Sequence, residues 1–246
     1  MKKIILCLTV ILILTAGTVS AQNNYGITFG ADLQLTTFTF DNLFDKTKQI
    51  NLWQLMISGK IEPAEDLMML VDHGFGYATK LNNSDFENEK SMRNYLTQVS
   101  LLYQFYNDAN LEIYGGLGYN FVQNYISSLI YHDDELQKNV QLYGSGFMAA
   151  SQVNFHVIDN LMIKANINAA PWYRWDYRTG GTITETGGST YLYRLTAEYD
   201  LNPDWIVKVG YGGTRSTMKE FEFNDYQVPK TTSTQGGLQV GVTYKF

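Results

Sequence analysis

The C-terminal nine residues, Leu238-Gln-Val-Gly-Val-Thr-Tyr-Lys-Phe246, alternate strictly between two kinds of side chain. Successive side chains of an extended strand point to opposite faces. Leu238, Val240, Val242, Tyr244 and Phe246 therefore share one face, and Gln239, Gly241, Thr243 and Lys245 share the other. A chain that ends on such a strand, with an aromatic as its last residue, has two strand edges to pair. Closing the sheet on itself pairs both. The pattern predicts the closing strand of a β-barrel whose apolar face meets lipid.

The opposite end of the chain agrees. Lys2 and Lys3 precede an apolar run, Ile4–Thr15, and then the small-residue site Val19-Ser20-Ala21. This is the layout of an export signal over residues 1–21, cleaved after Ala21, with one domain over residues 22–246. The run is too short to anchor the chain, because a spanning helix needs about 20 apolar residues. The single cysteine, Cys7, lies inside that run, so neither lipidation nor a disulfide is expected of the exported chain. A net charge of −6 without a basic patch argues against nucleic-acid binding. The mean hydropathy of −0.20 is compatible with a membrane barrel, whose strands carry apolar residues only at every second position. The 18 Tyr, 13 Phe and 4 Trp suit strands and membrane interfaces.

Turn chemistry divides the rest. Short breaks rich in Asp, Asn or Pro fall at Glu62–Asp66, Asn107–Asn110, Val157–Asn160 and Asp200–Asp204. Longer polar stretches fall at Asp41–Gln49, Leu81–Arg93, Ser127–Asn139, Tyr177–Ser189 and Arg215–Gln235. Short and long connections alternate, as in outer-membrane barrels. The segments between them predict a ten-stranded antiparallel transmembrane β-barrel. Its strands lie at about 24–40, 50–62, 66–80, 93–106, 110–126, 139–156, 160–176, 189–200, 204–214 and 235–246. Eight or twelve strands are the alternatives, because the second and third segments alternate poorly. A soluble antiparallel sandwich also alternates apolar with polar. The export signal, the long strands and the aromatics near strand ends favour the barrel.

With the apolar rows facing lipid, the opposite rows fill the lumen. They form a predicted polar network of Asp32, Glu112, Lys164, Arg174, Arg194, Glu198 and Lys208, with Lys60 and Lys245 also facing inward. Buried charges persist when paired, so the network predicts a plug; a narrow channel lined by the same residues is the other outcome. Asp72 and His73 are adjacent, so alternation points one of them at lipid unless a bulge or the membrane boundary intervenes. In the last long loop, Phe221, Phe223 and Tyr226 are expected to fold onto the barrel rim, or alternatively to engage a partner.

Chemistry is sparse. The histidines are His73, His132 and His156, and no nucleophile elbow or phosphate-binding glycine loop is present. The ten-strand layout and loop rhythm resemble the omptin family of outer-membrane barrels. The resemblance is clearest from Tyr114-Gly-Gly through Ala170-Pro-Trp-Tyr-Arg-Trp-Asp176 to Tyr193–Asp204 and the end. Omptins are endoproteases that activate water with an Asp-x-Asp pair from the second loop and an Asp-x-His pair from the fourth. The resemblance would place Asp85 and Glu87 in the first pair and Asp176 in the second. Asp176-Tyr-Arg178 stands where an acid and a histidine should be, and the fourth loop has no histidine. His132, from the third loop, would have to substitute. The resemblance thus implies the fold and argues against the protease.

The expected function is that of a non-enzymatic outer-membrane protein with a structural, adhesive or small-solute role. An omptin-like hydrolase and a narrow passive channel are the alternatives. No cofactor or metal is expected. The expected partners are outer-membrane lipid and lipopolysaccharide, and the barrel-assembly machinery through the strand ending in Phe246.

Overall fold

The computed structural model describes residues 26–43, 46–78, 92–130, 137–179, 181–223 and 226–246. The ten long strands are β1 (Gly26–Leu43), β2 (Lys46–Ala64), β3 (Leu67–Ala78), β4 (Met92–Asp108), β5 (Leu111–Ile130), β6 (Gln137–Ile158), β7 (Leu161–Thr179), β8 (Thr182–Asp200), β9 (Trp205–Met218) and β12 (Thr231–Lys245). They close into one antiparallel barrel in the order β1-β12-β9-β8-β7-β6-β5-β4-β3-β2. A separate hairpin, β10 (Phe221–Phe223) and β11 (Tyr226–Val228), lies between β9 and β12 in sequence. The terminal strand closes on the first, with Phe29 opposite Tyr244 and Leu35 opposite Leu238. The connections β2–β3, β4–β5, β6–β7 and β8–β9, of two to four residues, gather at one end of the barrel, the turn end; the others, of two to thirteen residues, gather at the other, the loop end.

The outer wall follows the predicted alternation. Leu117, Ile167 and Leu238 are 64–71% exposed, while their neighbours Gly118, Asn168 and Gln239 face the lumen. Aromatic residues ring the wall near the turn end, where Trp205 meets Tyr244 and Tyr244 meets Phe246 edge-on. These amphipathic rings suit a membrane interface.

Three sequence expectations change. The stretch Tyr177–Ser189, predicted to be a loop, is mostly strand. β7 and β8 continue past the barrel body and turn between Thr179 and Thr182, with Gly181 at φ 88°. Only glycine takes that conformation at no steric cost, which is why the pair Gly-Gly reads as a hairpin turn and not as an open loop. Second, β3 has no bulge at Asp72-His73: its pairing with β4 runs unbroken from Leu67 to Ala78. Asp72 points inward, and His73 points outward, its Nδ1 2.9 Å from the hydroxyl of Thr97 directly opposite.

The third change concerns β7. Ala170 pairs with Thr190 but Tyr173 pairs with Gly188, so Pro171 and Trp172 together oppose Ser189 alone. This two-against-one bulge shifts the alternation by one residue. Proline suits it because it has no N–H to give the ladder. Before the bulge, Asn168 and Ala170 face inward; after it, Tyr173, Trp175, Tyr177 and Thr179 do. Arg174 is consequently on the outer wall and not in the lumen, with its side chain 58% exposed.

The lumen has two halves. Towards the loop end it is apolar: Phe40, Ile50, Leu52, Met92, Met148, Tyr173 and Tyr177 are among its fully buried side chains. Phe221 and Phe223 fold inward from the β10–β11 hairpin, with ring centroids 5.3 and 5.0 Å from that of Tyr177. The charged interior expected along the whole barrel is confined to the middle and the turn end, and uncharged polar side chains such as Thr190, Ser216 and Thr231 are buried beside the apolar layer.

Candidate functional site

The polar part of the lumen encloses a chamber of about 570 Å³, which reaches the turn end beside Lys60, Glu62, Asp200 and Lys245. Its charges come from inward positions on β1, β2, β3, β5, β7, β8, β9 and β12. Lys164 on β7 donates to both carboxylate oxygens of Glu198 on β8, at 2.8 and 2.9 Å. Lys208 on β9 stands opposite Glu198 in the ladder and lies 2.8 and 2.9 Å from the two oxygens of Asp32. Lys164, Glu198, Lys208 and Asp32 thus form a row of alternating sign around the wall.

The last pair in that row spans a strand. Lys208 and Asp32 are each paired in register with Gly241, which lies between them on β12. A Cβ at Gly241 would collide with the Asp32 carboxylate. The glycine therefore provides the space in which the two side chains meet.

Arg194 does something different. It lies on β8, and its Nη1 is 3.2 Å from Oδ2 of Asp72 on β3. β8 and β3 are diametrically opposite in the ten-stranded ring. The pair braces the lumen across its full width. Above it runs a chain of amides: Gln235 donates to Gln54 at 2.7 Å, Gln54 to Asn94 at 3.0 Å, and Asn94 to Asn124 at 2.6 Å. All four side chains are buried. Buried amides are tolerated because each finds a partner, and such a network holds its members in fixed positions.

Glu112 sits nearer the turn end, accepting from Asn154 at 2.7 Å and from Tyr114 at 3.1 Å, with His156 Nε2 at 3.3 Å. Lys60 pairs with Glu62 and Lys245 with Asp200, each at 2.9 Å. Six of the seven residues of the predicted polar network therefore line the lumen, and Arg174 does not. The sequence singled out both Asp72 and Arg194 but not their pairing, and it gave no weight to Gln54, Asn94, Asn124 and Gln235. Their signal is present in the alternation: each falls on the inward row of its strand.

Of the residues that the omptin resemblance pointed to, Asp176 alone is among the described residues. Asp85, Glu87 and His132 lie outside the described residues. Asp176 lies beyond the bulge, on the outward row. Arg174 Nε donates to its Oδ1 at 3.0 Å and Arg178 Nη2 to its Oδ2 at 2.9 Å. Arg174 also pairs with Glu185 across the hairpin. The Arg178 guanidinium lies 4.2 Å from the ring centre of Tyr143. Both Asp176 oxygens are engaged by arginines, on the side of the wall away from the lumen.

Neither a family model nor a curated protein matches the sequence. Among solved structures, the chain is similar to the outer membrane protease OmpT from Escherichia coli. The TM-score is 0.60 at 9% identity, covering 90% of this chain and 97% of that one. It is also similar to the translocator domain of the autotransporter NalP from Neisseria meningitidis. There the TM-score is 0.50 at 13% identity, covering 97% of this chain and 95% of that one. The fold is that of the outer-membrane β-barrels. Identities this low carry the architecture of those barrels and not their activities. The chemistry of this barrel must be read from its own lumen and mouth.

Proposed function

We propose that the protein is an occluded barrel of the bacterial outer membrane with a structural or adhesive role, acting through the surface at its loop end. The turn end then faces the periplasm and the loop end the exterior, as the connection lengths of such barrels require. Residues 1–21 serve as the export signal, cleaved after Ala21. Lipid and lipopolysaccharide surround the wall, and the assembly machinery engages the closing strand that ends in Phe246.

The observation that carries this reading is the apolar closure of the lumen at the loop end. Tyr173, Tyr177, Phe40, Leu52 and Met92 come from the wall itself and are fully buried in one apolar cluster there. An ion passing this layer would lose its hydration with nothing to replace it. The full-length protein in a planar bilayer is expected to show no stepwise conductance; regular open-channel steps would overturn the reading. The hydrolase alternative needs a free acid at the mouth, and the paired, outward position of Asp176 argues against it. Peptide cleavage lost on Asp176→Ala would restore that alternative.

A further inference from the structure

The strand β8 outreaches its neighbour. β9 pairs with it only from Gly188, opposite Met218, to Asp200. One further bond, from Lys219 N to the carbonyl of Gly187 at 2.9 Å, ends the contact. Thr182–Thr186 remain paired with β7 on one side. On the other side no strand is hydrogen-bonded to them among the described residues: β10 packs near β8 but pairs only with β11, and the one bond there is from the Thr186 hydroxyl to the carbonyl of Lys219 at 3.4 Å. Because Gly187 directs its carbonyl to that side, backbone alternation directs the N–H and C=O of Ile183 and Glu185 there too.

This edge stands in water. On the outward row of β7, Trp172 is 88% exposed, and Arg174, Asp176 and Arg178 follow it on the same row. An aromatic followed by three charges marks the membrane boundary. Gly187 is opposite Arg174, so Thr182–Thr186 lie beyond that boundary. Natural edges are usually blunted by lysine, proline or a bulge. The segment Thr-Ile-Thr-Glu-Thr has none of these, and its threonines and isoleucine favour strand pairing.

We propose that the open edge at Thr182–Thr186 is a docking site for an extended polypeptide, which adds to β8 as a strand where β9 leaves off. The main-chain groups of Ile183 and Glu185 supply the hydrogen bonds. Their outward side chains select the partner: an apolar residue opposite Ile183, which is 55% exposed, and a basic one opposite Glu185. The pairing of Glu185 with Arg174 does not preclude this, because both side chains are more than half exposed and such pairs exchange partners readily. The site rests on the surface-acting role proposed above.

The test uses full-length protein in detergent micelles and a fluorescent peptide, Thr-Val-Thr-Lys-Thr-Val-Thr, followed by anisotropy. Saturable binding is expected. Ile183→Pro removes an N–H on the open side only and leaves the β7 ladder intact, so it should weaken binding at least tenfold. Glu185→Lys should weaken it several-fold, and a peptide with Glu in place of its Lys should restore it. Heat-shifted gel mobility reports folding; should the proline variant not fold, the charge exchange alone decides. Absence of saturable binding, or binding unchanged in the folded variants, overturns the proposal. A bilayer record without conductance would leave the occluded-barrel reading standing in that case, so the two can fail separately.

Discussion

Gly241 shows how one missing carbon governs a charged pair. Asp32 and Lys208 meet over it with side chains only 6% and 9% exposed. Adding a methyl group in Gly241→Ala displaces the carboxylate, and overpacking of this kind costs about 1–3 kcal/mol. Lys208→Ala leaves Asp32 as a buried charge without its partner, a loss of about 3–5 kcal/mol. Asp32→Ala combined with Lys208→Ala should recover part of that loss, because no lone charge remains. Unfolding in urea with detergent present would rank the three variants. Equal stability of Lys208→Ala and the double variant would contradict this account of the pair.

At the scale of the element, the bulge in β7 decides what faces where. Pro171-Trp172 turns the aromatic row Tyr173, Trp175 and Tyr177 into the lumen and puts Arg174, Asp176 and Arg178 outside. The reversal can be read with thiol chemistry, since the sole cysteine, Cys7, belongs to the predicted export signal. In folded protein, Arg174→Cys should react with a membrane-impermeant maleimide within minutes. Trp175→Cys should stay protected until the barrel is unfolded by heat. Removing Trp172 should abolish the bulge and leave both reactivities unchanged, because Tyr173 then follows Pro171 directly and keeps its inward place opposite Gly188. The same bulge sets which residues of β7 stand opposite the protruding end of β8, Asp176 opposite Glu185 and Arg178 opposite Ile183.

For the whole molecule, closure is layered. Ion pairs lie at the turn end, the Arg194–Asp72 brace crosses the middle, buried amides lie above it, and apolar side chains fill the loop end. The β10–β11 hairpin is a cap on the last layer and not the layer itself. Replacing residues 219–230 with a short Gly-Ser linker should therefore leave the barrel non-conducting, because Phe40, Leu52, Met92 and Tyr173 remain. Steady conductance in that variant would make the hairpin the plug. Its stability should still fall, since burial of Phe221, Phe223 and Val228 is lost; each large apolar side chain fully buried contributes roughly 1.5–3 kcal/mol.

The terminal strand Leu238–Phe246, the turn signals and the charged inward rows were all legible in the sequence. Each is a local property: strand alternation needs only neighbouring residues, and turns need only a few. The ten-strand count and the lumenal placement of Asp32, Glu112, Lys164, Arg194, Glu198 and Lys208 follow from that local order. Two things needed the closed ring. Arg194 meets Asp72 only because ten strands put β8 and β3 on opposite sides, a distance that no sequence spacing encodes. Tyr173 and Arg174 exchange faces because one residue is spent in a bulge, and alternation carries no mark of where its own phase slips. Sequence thus determined the wall, and tertiary structure decided what fills it and which edge it leaves open.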